Sequence, residues 1–294
     1  MRIGAKVPNS GPLPLERGIG PMAKALEQAG FESLWVSDHI VMPATVKSWY
    51  PFAADGRPDW PSDTPYIDAM IALAIIATAT ERAILGTAVL VLPLRHPVIL
   101  AKQAASIDVL SGGRLSLGIG AGWLAEEFEA LDVAFESRGR RFVEWVEILR
   151  SCWTGTPKEY EGHFYTMPRD VQCMPSPSHH IPLLIGGHSA TALGRAGSIG
   201  DGWLALQSAD ELDSKVLRSG ILKIRESFES IGKDPSLLWT TLRIVNSANQ
   251  VKAIVRALPE LRVAGVDEIV VDTNWDSSGS PIDMYATLRE AAER

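Results

Sequence analysis

Short apolar runs and longer amphipathic stretches alternate along the whole chain. "RIGAKV" (Arg2–Val7) is followed by a helix-like stretch from Leu13 to Ala29 that Gly30 closes, and "SLWVS" (Ser33–Ser37) precedes a second, Tyr66–Thr80. "AILGTAVLVL" (Ala83–Leu92) leads to a helix that Pro97 opens, as proline suits a first turn, and that stops at the glycines of "SGG" (Ser111–Gly113). "LSLGIG" (Leu115–Gly120) precedes helical stretches near Glu126 and over Arg138–Trp153. The pattern then repeats with "PLLIGG" from Pro182, "GWLALQ" (Gly202–Gln207), "WTTLRIV" (Trp239–Val245) and "DEIVVD" (Asp267–Asp272), each followed by a helical pattern. The strand-like runs are continuously apolar, which predicts a parallel sheet buried on both faces. Eight strand–helix pairs in 294 residues predict a closed α/β (β/α)8 TIM barrel, a fold of roughly 250 residues. An open doubly wound sheet is the other arrangement that fits. The barrel reading makes residues 1–294 one domain, with insertions after strands two and four at Met42–Pro65 and Thr154–His180, both expected to follow strand ends.

Composition narrows the partners. The net charge is −7, with no Lys/Arg cluster long enough to track phosphates, so no nucleic-acid partner is expected. The longest apolar run, "AMIALAIIATA" (Ala69–Ala79), is too short to span a bilayer, and "MRIGAKVP" lacks the apolar core of a signal peptide. No membrane association and a cytoplasmic location are expected. Cys152 and Cys173 match no zinc spacing and are expected to be free thiols.

In such a barrel, catalytic groups gather where strands end. Asp38 and His39 end the second strand, and the insertion behind them carries Trp49, Tyr50, Phe52 and Trp60, the makings of a lid or pocket wall. The plainer reading is that the pair only caps the strand and its turn. "GIGAGW" (Gly118–Trp123) and "IGGHSAT" (Ile185–Thr191) put glycine loops on the same face, the second opening a helix, so backbone amides could cradle a phosphate. "GIGAGW" also starts like a dinucleotide fingerprint, but the acidic residue expected about 20 residues on is missing. His188 could donate to a phosphate, and His96 could face the site. His163, His179 and His180 read as packing or solvated residues. Adjacent Asp38 and His39 point to opposite faces and cannot easily share an ion, so no metal is expected. No G-x-S-x-G elbow supports a serine hydrolase.

"GFESLWVSDHIV", the stretch from "ILGTAVLVLPLRHP" to "EEFEALDV", "RGRRFVEWVEILRSCWTG", "YEGHFYTM" and "PLLIGGHSATALGRAGSIGDGWL" resemble the bacterial luciferase-like flavin and deazaflavin oxidoreductases, from Met1 to about Asp272. The resemblance is to the branch that uses coenzyme F420, a 5-deazaflavin, with FMN as the alternative cofactor. It implies a TIM barrel, often a homodimer, acting on a small-molecule substrate. It implies that Asp38 contacts the cofactor and that His39 faces the reacting carbon as the catalytic proton-transfer group. It places a bulge, with a non-prolyl cis peptide in many deazaflavin members, at Ala88-Val89. It assigns the phosphate end of the cofactor to Gly120, Ala121 and Gly122 and to Gly186, Gly187 and His188. Trp123 stands where the sugar-phosphate dehydrogenases of this branch carry an acid. That departure speaks against sugar-phosphate oxidation and for an apolar or aromatic substrate against Trp49, Tyr50 and Trp123, although Glu126 or Glu127 could reach in from the next helix. The reading is an F420-dependent hydride-transfer oxidoreductase. The alternatives are an FMN-dependent monooxygenase and a non-catalytic flavin-binding protein.

Overall fold

The computed structural model describes residues 1–51, 53, 55–58, 60–275 and 280–293. Eight parallel strands close into a barrel: β1 (Arg2–Lys6), β2 (Ser33–Val36), β3 (Ile84–Val91), β4 (Leu115–Gly120), β7 (Leu183–Gly186), β8 (Gly202–Ser208), β9 (Trp239–Val245) and β10 (Glu268–Val271). The spatial order is β1-β10-β9-β8-β7-β4-β3-β2, so each strand lies beside its neighbour in the barrel sequence. This is the (β/α)8 barrel that the alternation predicts, and the open sheet is excluded by the β1–β2 and β1–β10 pairings.

The helices outside the barrel are α1 (Leu13–Arg17), α2 (Ile19–Ala29), α3 (Ala69–Ala79), α4 (Pro97–Ser111), α5 (Ala125–Ala130), α6 (Arg138–Trp153), α7 (Ala190–Ile199), α8 (Ser214–Ser230), α9 (Val251–Ala264) and α10 (Pro281–Glu293). Side-chain caps set several starts. Asp68 accepts from the amides of Met70 and Ile71, and Asp213 from those of Lys215 and Val216. The Asp68 cap shortens the predicted Tyr66–Thr80 helix and leaves Tyr66 outside it. Gly18, at φ 76°, divides the predicted Leu13–Ala29 helix into α1 and α2.

The first insertion follows β2 as expected. The second does not follow a strand end. It leaves from the end of α6 and carries the antiparallel hairpin β5 (Tyr160–Glu161) and β6 (Thr166–Met167). The buried Glu144 of α6 receives the amides of His163, Phe164 and Tyr165 and holds the hairpin against the helix. Cys152 and Cys173 are buried and free.

Apart from a small cluster of Val91, Leu94 and Phe128, two apolar volumes make up the core. The larger lies between barrel and helices. The smaller fills the barrel lumen with Trp35, Leu184, Leu204 and Val270, flanked by Ala88, Val89 and Trp239. Below it, the buried carboxylate of Glu268 gathers Ser33, Thr241, Trp35 and Trp239 as donors. Glycines make the lumen wide enough for the indole. A Cβ on Gly86 would stand 2.4 Å from the Trp35 ring. At Gly118 it would stand 2.1 Å from the carbonyl oxygen of Thr87. Backbone cannot step aside as a side-chain tip can. Gly118→Ala is therefore expected to lower stability by about 1–3 kcal/mol or more, seen as a lower urea midpoint. Gly194→Ala, on a helix face where a Cβ meets nothing within 4 Å, should instead leave stability unchanged or raise it by roughly 0.5–1 kcal/mol.

Candidate active site

The site grows from a mismatch between β3 and β4. Their pairing is regular from Leu85↔Leu115 to Thr87↔Leu117 and then jumps to Leu90↔Ile119. Three steps on β3 oppose two on β4, so β3 carries one extra residue, a bulge. It falls at Ala88-Val89, and that non-prolyl peptide is cis, as the resemblance implies. The Thr87 hydroxyl donates to the Gly118 carbonyl at 2.7 Å below the bulge, and the Val91 amide donates to Asp38 at 3.0 Å above it. The Val89 side chain crosses the barrel mouth. Its methyls lie 2.8 Å and 2.7 Å from where a Cβ on Gly120 or Gly186 would be. Three positions assigned to the cofactor, on β3, β4 and β7, thus meet at one point of the C-terminal face.

Asp38 is buried at the end of β2, and both its oxygens are engaged. One accepts from Val91, the other from Arg95 at 2.6 Å. Arg95 also reaches Asp68 at 2.8 Å, the residue that caps α3. Burial pushes the Asp38 carboxyl up, against the opposing pull of Arg95 and the Val91 amide. Burial works against the Arg95 charge, but the two carboxylates beside it outweigh that and raise the guanidinium above its ordinary value. The sequence reading missed Arg95 and Asp68; the arginine directly after an apolar strand in "LPLRHP" was the available signal.

His39 Nδ1 lies 3.1 Å from the carboxylate of Glu127, which is 1% exposed. With the carboxylate as acceptor, Nδ1 carries the hydrogen and Nε2 is left as the other ring nitrogen. The other Glu127 oxygen takes the amides of Ile40 and Val41. Glu126 takes the amides of Lys47 and Ser48 and, at 2.6 Å, the Ser48 hydroxyl. The first turn of α5 therefore staples the insertion after β2 at two places. An acid does reach His39 from the helix after Trp123.

Aromatic rings enclose the histidine. Tyr66 and Trp123 stand edge-on at 5.5 Å and 6.0 Å, and Trp60 lies at 6.4 Å. Tyr50 packs on Trp60 at 5.2 Å and on Trp123 at 4.9 Å. Burial and the nearby charges of Asp38 and Glu127 push the Tyr66 phenol up to about 12, so it stays a neutral hydroxyl. Trp49 does not join this wall. It is 65% exposed and lies over Gly56. Phe52 lies outside the described residues. Tyr66 went unrecognised in sequence because it sits at the far end of the insertion.

Parallel pairing of β4 with β7 sets the two glycine loops side by side. Gly122 at φ 84° and Gly187 at φ 114° need conformations that side chains disfavour. A Cβ on Gly122 would also strike Phe128 and Val91. The Gly187 carbonyl accepts from the Trp203 indole at 2.8 Å. The His188 Nε2 is taken up by the Leu206 main chain, with the carbonyl at 2.9 Å and the amide at 3.0 Å, and burial lowers its basicity. That nitrogen is therefore engaged by main chain rather than free for a phosphate, contrary to the expectation for His188. His96 is exposed and packs on Tyr165 rather than on His39.

Across the mouth, β1, β9 and β10 contribute Lys6, Arg243 and Asp272, which sequence reading also missed. Polar residues inside the apolar runs "RIGAKV" and "TTLRIV" were the signal. Arg243 is buried and pairs with Asp272, which burial pushes up but Arg243 and Lys6 hold below the usual carboxylate range. Burial and Arg243 lower Lys6 to about 8. Among the described residues no group of three or more His, Cys, Asp or Glu could hold a metal ion, and no helix is long and apolar enough to cross a membrane.

The luciferase-like monooxygenase family model matches residues 11–286 of this chain. The chain belongs to that family. An uncharacterized protein of Mycobacterium tuberculosis is 38% identical over 207 residues, 70% of each chain. The F420-dependent hydroxymycolic acid dehydrogenase of the same organism is 27% identical over 267 residues, 85% of this chain and 68% of its own. Among solved structures, an F420-dependent secondary alcohol dehydrogenase in complex with an F420–acetone adduct matches with a TM-score of 0.78. It is 18% identical over 99% of this chain and 98% of its own and shares the barrel fold.

The depressed lysine of this family member has a measurable consequence. The unfolded chain keeps Lys6 near its ordinary 10.5 while the folded chain holds it at about 8. Between those values the unfolded state binds more protons, so folding stability rises with pH. The penalty is complete below pH 8 and gone above the unfolded value. Urea melts from about pH 7 to 10.5 should show wild type gaining at most about 3 kcal/mol relative to Lys6→Met. Parallel curves would show that Lys6 titrates normally.

Proposed function

We propose that this protein is an F420-dependent oxidoreductase that moves a hydride between the deazaflavin and a small, apolar or aromatic organic substrate. The observation that carries the reading is the meeting of the Val89 bulge with Gly120 and Gly186 beside the His39–Glu127 pair. The fit to a flat cofactor is physical. Around Val89 the mouth offers glycines, and a Cβ at Gly120 or Gly186 would fill the gap now occupied by the valine methyls. The loops around Gly122 and Gly187 present main chain, which suits a phosphate. Bound F420 supplies the hydride at C5 of its deazaflavin ring. Identity at the level of a named F420-dependent dehydrogenase supports this cofactor over FMN.

The chain's own residues do the rest. Asp38 and Arg95 fix the upper end of the bulge, so the wall behind the ring keeps its shape. His39, oriented at Nδ1 by Glu127, presents Nε2 to take a proton from, or return it to, the reacting oxygen or carbon of the substrate. Tyr50, Trp60, Tyr66 and Trp123 exclude water and give a flat or apolar substrate surfaces to stack on. The neutral Tyr66 hydroxyl adds a hydrogen-bond donor at the same wall.

The direct test is parallel titration with F420 and FMN. F420 is expected to bind at micromolar or better affinity, on the order of −8 kcal/mol, and more tightly than FMN. Tight FMN binding with no detectable F420 binding would sink the proposal in favour of a monooxygenase. His39→Ala should keep F420 affinity within a few-fold while turnover falls by about 10²–10⁴. Unchanged turnover would reduce His39 to a packing residue.

A further inference from the structure

The mechanism above leaves one cation of the barrel mouth unused, Lys6 at the end of β1. On this strand Ile3, Ala5 and Val7 pack into the core between barrel and helices. A Cβ on Gly4 would instead meet Ser33 and Glu268 inside the barrel. Side chains alternate along a strand, so Lys6 stands on the same lumen side as Gly4, nearer the C-terminal face. Its partner in register on β2 is Trp35, and the chain beyond β2 delivers Asp38 and His39. Lys6 therefore rises from the floor of the mouth, beside the strand that leads to the histidine.

Charges taken out of water are normally paired. Lys6 is half-buried, yet among the described residues it makes no hydrogen bond and no ion pair. The charged groups that act on it are Arg243 from β9 and Asp272 from β10, and these two hold each other. Arg243 pairs with Asp272 and donates to the carbonyls of Ile244 and Val270. The second Asp272 oxygen lies 3.4 Å from the Ser247 hydroxyl, whose oxygen takes the Asp272 amide at 2.6 Å. Burial and Arg243 weaken the Lys6 charge more than Asp272 supports it. A lysine that costs the fold stability and makes no polar contact within it points to a ligand.

The surroundings select the class of ligand. Lys6 and Arg243 against Asp272 leave a surplus of one positive charge, which a monoanion matches and a phosphate dianion exceeds. The rings of Tyr50, Tyr66 and Trp123 around His39 suit an apolar body. We propose that Lys6 is the receptor for a carboxylate on the substrate, which makes that substrate an apolar or aromatic monocarboxylic acid. Its acid group is held at the end of β1 and its body lies against the aromatic wall. The carboxylate gives the ammonium the charge-assisted partner that the fold withholds. That such a molecule then exchanges a hydride beside His39 rests on the oxidoreductase reading above; the binding of its carboxylate does not.

The test is calorimetric titration of the full chain, with and without F420, using benzoate and its neutral counterpart benzamide. Wild type should bind benzoate about tenfold more tightly than benzamide. Lys6→Met keeps the length of the side chain without its charge. It should abolish that preference and leave benzamide affinity unchanged, while Lys6→Arg should keep part of the preference. Proton uptake, read from titrations in buffers of different ionisation enthalpy, gives a second measure. With Lys6 at about 8, benzoate binding at pH 8 should draw in up to about half a proton per site more in wild type than in Lys6→Met. Three outcomes would each overturn the inference: equal affinity for the two probes in wild type, an unaltered preference in Lys6→Met, or no saturable benzoate binding with or without F420. F420 binding in that same experiment would leave the cofactor reading standing. A Lys6-dependent preference for benzoate in a protein that fails to bind F420 would uphold the subsite and sink the cofactor reading.

Discussion

One extra residue in β3 shapes the working end of this barrel. Parallel strands pair residue for residue, so β3 must either slip its whole register or expel the surplus locally. It expels it at Ala88-Val89, between the Thr87 hydroxyl bond to Gly118 and the Val91 amide bond to Asp38. Everything else at the mouth accommodates that choice. Gly120 and Gly186 lack side chains where the Val89 methyls now lie. Asp38, drawn out of water to hold the Val91 amide, needs Arg95 as counterion, and Arg95 in turn needs Asp68. The strand defect, the ionic network and the start of α3 are one connected unit.

The second organising feature is the first turn of α5. A helix of six residues has little stability of its own. Its two glutamates nevertheless hold the insertion after β2 at residues 40–41 and 47–48, and one of them also sets the tautomer of His39. Glu127 orients the histidine and holds residues 40–41, while the adjacent Glu126 holds the insertion at Lys47 and Ser48. The aromatic wall of Tyr50, Trp60, Tyr66 and Trp123 then closes around a ring whose orientation is already chosen.

Charge is distributed unevenly around the rim. The β2 side carries carboxylates in closed networks, the β1–β9–β10 side carries Lys6 and Arg243 against Asp272, and the α6–α7 edge mixes arginines with Glu136 and Glu144. Local arrangement, rather than overall charge, decides what each edge can hold.

The sequence by itself determined the barrel, because eight apolar runs alternating with helical patterns leave few ways to bury both faces of every strand. It determined the face on which the candidate site lies, because strand ends are visible as the points where apolar runs stop at Asp38–His39, Gly120 and Gly186. The bulge was legible only through family resemblance, since "GTAVLV" shows no surplus residue until it is paired with β4. Only the tertiary structure decided the partners. Arg95, Asp68, Tyr66 and Glu127 lie 57, 30, 28 and 88 residues from Asp38 or His39 along the chain, and no local periodicity links them. It also separated Trp49 from Tyr50, adjacent in sequence yet one exposed over a turn and the other packed in the wall. Burial and hydrogen-bond satisfaction are properties of converging elements, so the identity of a strand-end residue can be read in one dimension, but what holds it and which way it faces cannot.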